Sequence, residues 1–392
     1  MRFPEFHGEW EKCKVSDLLD FYSTNSLSWD QLEYGTDNML NLHYGLIHVG
    51  LPTMVDLSKD ILPAIKKENE PKNFELCKEG DIAFADASED TNEVAKAIEF
   101  YTLEDKAVVC GLHTIHGRDK SNKTVVGYKG YAFSSTAFHH QIRRIAQGTK
   151  IYSISAKNFA ECYIGIPSKE EQTKIAKLLR LIDERIATQS KLIEKLESLI
   201  KGIVDSTILR KEKNAIIGDV CSISEQIRAE ANIDDIITVR LHGNGVCKSS
   251  AENLQLGATQ YYRRRAGQLI YGKQNFHNGA IGIVPISLDN GITSKDIPSF
   301  DIDEMKCNSV YLLAQLQSPQ YYKPAEALTT GTGSKRLKEE TFLKMPIVLP
   351  NKREQDNIAV LIHRASMNLD HAKRLLELLS IQKQFLLRQM FI

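Results

Sequence analysis

Two long stretches of the chain place apolar residues at alternating steps of four and three positions. The pattern runs from Ile175 to Ile203 in the first stretch and from Ile358 to Met390 in the second. A mean step of 3.5 residues is typical of the narrow seam of a coiled coil, not of the broad apolar face of a globular helix. Gln189 and Lys383 interrupt the seam, and such polar residues commonly fix register or mark a contact with a partner.

Each stretch starts with a helix-capping signal directly after a proline. Ser168-Lys-Glu-Glu171 follows Pro167, and Asn351-Lys-Arg-Glu354 follows Pro350. The Ser or Asn oxygen accepts a hydrogen bond from a backbone N–H of the first helical turn. The side chain of the Glu three positions later can accept one from the backbone N–H of the capping residue. Each helix is expected to run about 40 residues, or roughly 60 Å. We expect the two helices to pair as an antiparallel coiled coil, although docking of each helix on its own domain would also bury its stripe.

The second half of the chain repeats the first at an offset of 183 residues. Phe159–Pro167 aligns with Phe342–Pro350, and the Glu-Gln pair that ends at Gln172 aligns with the pair that ends at Gln355. Upstream, Gly148-Thr149-Lys150 resembles Gly333-Ser334-Lys335 once a slip of two residues is allowed. A period this long indicates a duplicated domain, because solenoid repeats are about 20 to 50 residues long.

The duplication predicts two mixed α/β (α+β) recognition blocks, each followed by a long helix. The expected segments are a first block at 1–167, a first helix at 168–210, a second block at 211–350 and a second helix at 351–392. Within the blocks we predict strands at 81–84, 107–110, 269–271 and 280–284, and helices at 136–146 and 309–317. The order of the strands does not follow from the pattern.

Amino-acid composition limits the possible classes of protein but does not identify the function. Seven cysteines, an odd number with no C-x-x-C pair, predict free buried thiols rather than a disulfide framework or a zinc ribbon. Fifty basic and fifty acidic residues give a formal net charge of zero, which argues against nucleic-acid binding unless charge is segregated or a partner supplies it. With no signal core and no membrane-length apolar run, the expected location is cytoplasmic.

The order of these elements resembles the specificity subunits of type I restriction–modification systems. The opening Arg2-Phe3-Pro4-Glu5-Phe6 is similar to the usual start of such subunits, as are Glu79-Gly80-Asp81-Ile82 and its looser copy Ala266-Gly267-Gln268-Leu269. The most specific pieces are Glu-Gln-Thr-Lys-Ile175-Ala176 and Glu-Gln-Asp-Asn-Ile358-Ala359. These elements cover both halves of the chain.

The resemblance implies a non-catalytic subunit with two target-recognition domains, each reading one part of a bipartite asymmetric DNA site. It implies that the helices act as a spacer and dock two methyltransferase subunits, joined by motor-nuclease subunits. S-adenosylmethionine, ATP and magnesium are expected on those partners, with no cofactor or metal on this chain. The residues expected to mark subunit-contact helices are Gln172, Ile175, Gln189, Gln355 and Ile358.

Three local basic clusters are candidates for contact with double-stranded DNA. Arg and Lys neutralise phosphates, and Arg can bind guanine edges through two hydrogen bonds. A solvated surface is the alternative for any one cluster. The candidate residues are Arg143, Arg144, Lys150, Tyr262, Arg263, Arg264, Arg265, Lys273, Lys335 and Arg336.

Possible catalytic motifs in the chain are incomplete. Gly267–Gln274 approximates a phosphate-binding loop but lacks the hydroxyl after Lys273, and its centre has the pattern of a strand. His113 and His116 have the spacing of metal ligands on a helix, without a third ligand nearby in sequence. The spacing of a metal-dependent nuclease triad is matched by Asp81 or Asp86 followed by Glu104-x-Lys106. Such spacing is common by chance.

Two other classes of function remain as alternatives. A nuclease or methyltransferase acting alone would need a complete metal or cofactor motif. A coiled-coil scaffold that binds only proteins would show no salt-dependent affinity for DNA.

Overall fold

The computed structural model describes residues 1–36, 38–249, 259–331 and 334–391. The described chain forms two compact units. Unit 1 comprises Met1–Ser190 and Arg374–Ile392, and unit 2 comprises Lys191–Lys373. Unit 2 is therefore inserted between two segments of unit 1. Gly333, part of the expected Gly-Ser-Lys element, lies outside the described residues.

Unit 1 is built on a five-stranded and a four-stranded sheet. The larger sheet has the order β2-β11-β7-β9-β5 and the smaller one β10-β4-β6-β3, while β1 pairs with β13 and β8 with β12. The strands are β1 Glu11–Lys14, β2 Leu19–Tyr22, β3 Leu32–Glu33, β4 Leu40–Leu42, β5 Met54–Asp56, β6 Ala64–Ile65, β7 Ile82–Ala85, β8 Ala87–Ser88, β9 Ala97–Thr102, β10 Val108–Cys110, β11 Thr114–Asp119, β12 Tyr152–Ser153 and β13 Tyr163–Ile166. The helices are α1 Val15–Leu18, α2 Tyr44–His48, α3 Lys129–Phe133, α4 Thr136–Ile145, α5 Ala156–Ala160 and α6 Lys169–Val204, which continues into unit 2.

Unit 2 repeats the central part of this arrangement. Its four-stranded sheet has the order β15-β23-β20-β21, and all of its pairs are antiparallel, as in β2-β11-β7-β9 of unit 1. The strands are β14 Ala215–Ile216, β15 Cys221–Ile223, β16 Arg228–Ala229, β17 Ile237–Val239, β18 Val246–Lys248, β19 Tyr261–Arg263, β20 Leu269–Tyr271, β21 Ile281–Ile283, β22 Ile292–Ser294, β23 Ser299–Ile302 and β24 Pro346–Ile347. The helices are α7 Ser309–Leu316, α8 Pro319–Tyr322, α9 Glu339–Leu343 and α10 Lys352–Gln389, which ends in unit 1.

In each core an aromatic ring from a central strand packs against one from the short helix that precedes the proline. The elements are β7 and α5 in unit 1 and β20 and α9 in unit 2. In unit 1, Phe159 lies 4.6 Å from Phe84, centroid to centroid. In unit 2, Phe342 lies 4.5 Å from Tyr271. All four residues are fully buried, so the repeat in sequence corresponds to a repeat in packing. The predicted mixed α/β fold and its pseudo-repeat are confirmed.

The helix starts form as their capping residues predict. The Ser168 hydroxyl accepts a hydrogen bond from the Glu171 backbone N–H at 3.3 Å, and the Asn351 side chain accepts one from the Glu354 N–H at 3.0 Å. The Glu171 carboxylate was expected to accept a hydrogen bond from the backbone N–H of Ser168. It instead accepts two from the Arg2 guanidinium, each at 2.7 Å. Arg2 therefore replaces the Ser168 N–H as the donor to Glu171.

The two long helices run antiparallel within each unit. In unit 1 the start of α6 packs with the end of α10: Ile175 and Leu179 share a core with Leu386 and Met390. In unit 2 the end of α6 packs with the start of α10, where Val204 and Ile208, the latter in the π-helical turn Asp205–Leu209 that follows α6, share a core with Ile358 and Ile362. The predicted direction of the pair is thereby confirmed.

Lys383, the polar interruption of the second seam, has a specific partner. Its ammonium lies 2.6 Å from the Asp183 carboxylate and 5.9 Å from the centroid of the Tyr131 ring. The Tyr131 hydroxyl also donates to Asp183 at 2.9 Å. In unit 2 the two helices are joined by the exposed pair of Lys373 and Glu197 at 2.8 Å. The charge contact between the helices is therefore largely buried in unit 1 and exposed in unit 2.

Candidate nucleic-acid interface

Each unit carries a tight turn at the same place in the repeat. In unit 1 the turn is closed by a bridge between Gln147 and Ser153, and in unit 2 by a bridge between Thr330 and Arg336. Both start with a glycine at positive φ: Gly148 at +141° and Gly331 at +131°. A Cβ at either glycine would collide with a carbonyl oxygen across the turn, so another residue would strain it.

These turns give an alignment of the two copies without a slip. Gly331 is the structural counterpart of Gly148, because both glycines follow a bridged residue at the constant offset of 183 residues. Gly333, which the sequence matched with Gly148 after a slip of two residues, lies outside the described residues.

Each turn is hydrogen-bonded to the chain just after an equivalent strand, β7 in unit 1 and β20 in unit 2. The Ile154 N–H donates to the carbonyl of Asp86, just after β7, at 3.0 Å, and the Leu337 N–H donates to the carbonyl of Lys273, just after β20, at 2.8 Å. The turns and the carboxyl ends of these strands therefore form one surface in each unit, which we call the turn face.

The turn face of unit 1 exposes the first predicted basic cluster. Arg143 lies near the end of α4 and donates to Asn92 at 3.0 Å, while its other nitrogen lies 2.9 Å from a ring nitrogen of His140. Arg144 and Lys150 are exposed. Long exposed cations without a fixed acidic neighbour can reorient toward a phosphate with little loss of intramolecular bonding.

The turn face of unit 2 also gathers predicted cations, but each one has an acidic neighbour. Lys273 pairs with Glu339 at 2.7 Å and is largely buried. Lys335 pairs with Glu326 at 3.3 Å and Arg336 with Asp296 at 3.1 Å. The last two pairs are exposed, so each contributes roughly 1 kcal/mol or less to folding and can exchange its acid for a phosphate.

Arg263 and Arg265 lie at the other end of β20 from Lys273. Both are exposed and line a cleft of about 380 Å³ whose wall also carries Glu225, Asp301 and Glu304. Carboxylates in the same cleft reduce its attraction for phosphate. Arginines beside carboxylates have instead the donors and acceptors that suit the edges of bases.

Arg264, predicted to contact DNA, is in the interior of unit 2. It is fully buried, and its guanidinium donates to the hydroxyls of Thr293 at 2.7 Å and Ser299 at 2.8 Å and to the carbonyl of Ile297 at 3.0 Å. Burial lowers the pKa of Arg264 to about 10. The prediction for Arg264 is wrong because the strand turns the middle arginine of the three inward.

Tyr262 is likewise a core residue. Only 6% of its surface is exposed, its ring lies 5.7 Å from the Arg264 guanidinium, and its hydroxyl donates to Gln260. The predicted contact between Tyr262 and DNA is therefore also wrong.

Gln172 and Gln355 are internal anchors and not subunit contacts. The Gln172 side chain accepts from the Val125 N–H at 2.9 Å and donates to the carbonyls of Lys123 at 3.0 Å and Pro167 at 2.9 Å. Gln355 makes the same three bonds with residues exactly one repeat later, namely Asn308, Lys306 and Pro350. Each glutamine thus ties a long helix to its own domain.

The isoleucines predicted with these glutamines are also internal. Ile175 is 1% exposed and Ile358 is 6% exposed, each inside the core of its own unit. Gln189 is half-buried and has an interaction partner. Burial leaves Gln172, Ile175, Gln355 and Ile358 no surface for another subunit, so the predicted contacts at these four positions are wrong.

The helices expose a second apolar surface that the seam pattern did not reveal. In unit 1, Leu378, Ile381 and Phe385 of α10 are each more than half exposed. Their steps of three and four place them on one side of the helix, and we call them the outward stripe. In unit 2, α10 exposes Val360 and Met367. The signal was present in the sequence as a second set of apolar positions beside the seam.

The motifs considered for catalysis have structural explanations. The centre of Gly267–Gln274 is β20, as its pattern indicated, and not a phosphate-binding loop. Asp81 is buried between His116 and Arg118, 2.8 Å from each. Burial alone would raise the pKa of Asp81, but hydrogen bonds from these two residues hold it below its usual value. No helix in the described ranges has the length and apolar character needed to cross a membrane.

Comparison with known proteins agrees with this geometry. Residues 8–198 match the family model of the type I restriction modification DNA specificity domain. Among solved structures, the chain is similar to the crystal structure of a type-I restriction-modification system S subunit from M. genitalium, at 14% identity and a TM-score of 0.63, over 100% of this chain and 99% of that one. No curated protein matches it in sequence.

A second solved structure, described as the structural basis underlying complex assembly and conformational transition of the type I R-M system, matches at 12% identity and a TM-score of 0.53. The match covers 98% of this chain and 97% of that one. At such low identity the two structures establish the fold. Residues 8–198 thus match the type I restriction modification DNA specificity domain, and the whole chain has the fold of the solved S subunit.

Proposed function

We propose that this chain is the DNA sequence-specificity subunit of a type I restriction–modification complex and that each unit recognises one half of a bipartite asymmetric site. The observation that carries the proposal is the duplication of one arrangement. The central sheet order, the bridged turn and the glutamine anchor recur, the last two at a constant offset of 183 residues. Two copies of one recognition unit with different surface residues suit two different half-sites.

The turn face is the surface of each unit that best suits the DNA backbone. It exposes Arg144 and Lys150 in unit 1 and Lys335 and Arg336 in unit 2. Phosphate contacts position a protein on a duplex without carrying sequence information, so they can recur in both copies. Arg263 and Arg265, beside carboxylates, are our candidates for contacts with base edges.

Removing the exposed cations of one turn should flatten the salt dependence of DNA binding. We expect Arg144→Glu with Lys150→Glu to lower the slope of log K against log salt by roughly 1.8, because each lost phosphate contact removes about 0.9. The measurement is a titration of a labelled cognate duplex at several salt concentrations, with the chain assembled with its methyltransferase.

The matched control reverses the same amount of charge elsewhere on unit 1. Lys67→Glu with Lys72→Glu changes two exposed lysines outside the turn face and should leave the slope within error of the wild type. An unchanged slope for the Arg144 and Lys150 variant, or an equal drop in the control, would show that the turn face is only a solvated surface.

We propose that the partners are two methyltransferase subunits and the motor-nuclease subunits. S-adenosylmethionine would then bind to the methyltransferases, and ATP with magnesium to the motor subunits. We further propose that a methyltransferase docks on the outward stripe, because an apolar row of this kind on a helix is a common protein-binding surface. The complex would act in the cytoplasm, where its DNA substrate is accessible.

Exchanging one recognition block tests whether the two units recognise DNA independently. Replacing residues 211–350 with the equivalent block of another specificity subunit should change one half of the methylated motif and leave the other half as it was. The expectation rests on the separate core of each unit. The measurement is methylome sequencing of cells that express the swapped chain with its cognate methyltransferase.

The reciprocal exchange of residues 1–167 serves as the internal control and should change the opposite half. If either exchange altered both halves of the motif, the two units would form one shared recognition surface and the modular proposal would fail.

A further inference from the structure

Two cysteines and a histidine that are far apart in sequence meet inside unit 1. Cys77 precedes β7, Cys110 ends β10 and His116 lies in β11. The two sulfur atoms are 3.6 Å apart, and the ligand atoms of all three side chains lie within 4.8 Å of one another. All three residues are buried. The strands hold this set in place: the Cys77 N–H donates to the Val108 carbonyl in β10 at 2.8 Å.

The histidine of this set has one ring nitrogen bound and the other without a hydrogen-bond partner among the described residues. Its Nε2 lies 2.8 Å from the Asp81 carboxylate, which in turn binds Arg118 at 2.8 Å. The other ring nitrogen, Nδ1, is buried and has no hydrogen-bond partner among the described residues. A carboxylate that binds one ring nitrogen fixes the tautomer and leaves the lone pair of the other nitrogen for a metal. An orphaned buried nitrogen is otherwise unfavourable.

The second unit places a positive charge at the matching position. When Glu79–Ile82 is aligned with Ala266–Leu269, Cys77 corresponds to Arg264. The alignment agrees with the sheets, because β7 and β20 occupy the same place in the shared strand order. The side chain that replaces the first cysteine is thus the buried guanidinium of unit 2.

The histidine has a counterpart that binds this guanidinium. His116 lies opposite Ala83 in the β11–β7 pair, and Ser299 lies opposite Ile270 in the β23–β20 pair. Ala83 and Ile270 are equivalent in the alignment, so Ser299 replaces His116. Since Ser299 accepts from Arg264 at 2.8 Å, unit 2 holds a cation where unit 1 presents the Cys77 sulfur and the His116 imidazole.

We propose that Cys77, Cys110 and His116 bind one Zn²⁺ ion. Soft thiolates with an imidazole are ligands that zinc prefers. Two thiolates and a neutral imidazole balance the charge of the ion, and binding releases the two thiol protons to solvent. Three protein ligands leave the fourth tetrahedral position to a water molecule. The ion would tie the four-stranded sheet, through β10, to the five-stranded sheet, through β11.

A disulfide between the two cysteines is the competing arrangement. The sulfurs are farther apart than a disulfide bond allows, and oxidation would leave Nδ1 of His116 without a partner. Zinc accounts for the sulfurs, the orphaned nitrogen and the Asp81 contact together. The sequence predicted free thiols and no metal because residues 77, 110 and 116 do not have the spacing of a metal-binding motif. The three residues meet only in the folded structure.

The test is the metal content of the full-length chain, purified with its methyltransferase under reducing conditions and without chelators. Elemental analysis should find about one zinc per chain beyond any zinc in the methyltransferase purified alone. Cys110→Ser and Cys77→Ser should each lose that zinc, while Cys162→Ser, a buried cysteine in the same unit, should retain it. Cobalt substitution of the wild type should give a thiolate-to-metal charge-transfer band that Cys110→Ser lacks.

The wild-type measurement decides the proposal even if the serine variants fold poorly. Less than a tenth of an equivalent of zinc in the wild type, before and after incubation with zinc under reducing conditions, would overturn it. So would a Cys77–Cys110 disulfide detected by peptide mass, or zinc that remains in Cys110→Ser.

Discussion

Arg264→Glu is expected to destabilise unit 2 by roughly 4 kcal/mol, the magnitude typical of leaving a buried charge uncompensated. The guanidinium is fully buried and donates to three hydroxyl and carbonyl acceptors at 3.0 Å or less. A carboxylate at this position would be a buried charge without a cationic partner, and the Ile297 carbonyl would lose the hydrogen bond that Arg264 donates. The measurement is urea unfolding of the full chain, followed by a probe placed in unit 2.

The neighbouring arginines provide the control for this substitution. Arg263→Glu and Arg265→Glu alter exposed side chains and should change the free energy of unfolding by about 0.5 kcal/mol or less. Stability of Arg264→Glu close to that of the wild type would mean that the side chain is not held in the core. Charge reversal at Arg263, Arg264 and Arg265 together would therefore abolish DNA binding by unfolding unit 2. Contacts with bases should be tested by substituting only Arg263 and Arg265.

Ile381→Glu with Phe385→Glu is expected to weaken binding of the methyltransferase at least 100-fold. Each of these exposed side chains would contribute about 1.5 kcal/mol or more when buried in an interface, and a loss of roughly 3 kcal/mol corresponds to that factor. Glutamate favours helices and both positions are exposed, so the fold should persist. Calorimetric titration with the purified methyltransferase measures the affinity.

A matched control adds the same charge to another side of α10. Ser380 is exposed, and because it lies two positions after Leu378 and one before Ile381, helical periodicity places it away from the outward stripe. Ser380→Glu should therefore bind the methyltransferase as the wild type does, whereas the single variant Ile381→Glu should not. Equal affinities for the stripe variant and the control would exclude the outward stripe as the docking surface.

The long helices could be predicted in detail because their signals are local. The step of 3.5 residues and the capping residues each act over a few positions, and the observed starts at Lys169 and Lys352 lie one residue after the predicted caps. The strand at Leu269–Tyr271 was predicted at its exact bounds. Local patterns of this kind decide where an element begins, but not what it packs against.

Burial of polar residues was the main feature that the sequence did not reveal. Arg264 stands between two exposed arginines, and no local pattern marks it as the one that turns inward. Gln172 and Gln355 recur in both copies, and recurrence alone does not distinguish an internal anchor from a docking residue. Their three hydrogen bonds each depend on backbone atoms that lie up to 49 residues away.

The insertion of unit 2 into unit 1 has a consequence for the order in which the chain unfolds. Both ends of Lys191–Lys373 continue into helices of unit 1, so an unfolded unit 2 is a closed loop while unit 1 remains native. Closing a loop of this length removes conformational entropy worth roughly 5 kcal/mol from the unfolded state. Unit 1 therefore stabilises unit 2 through connectivity alone.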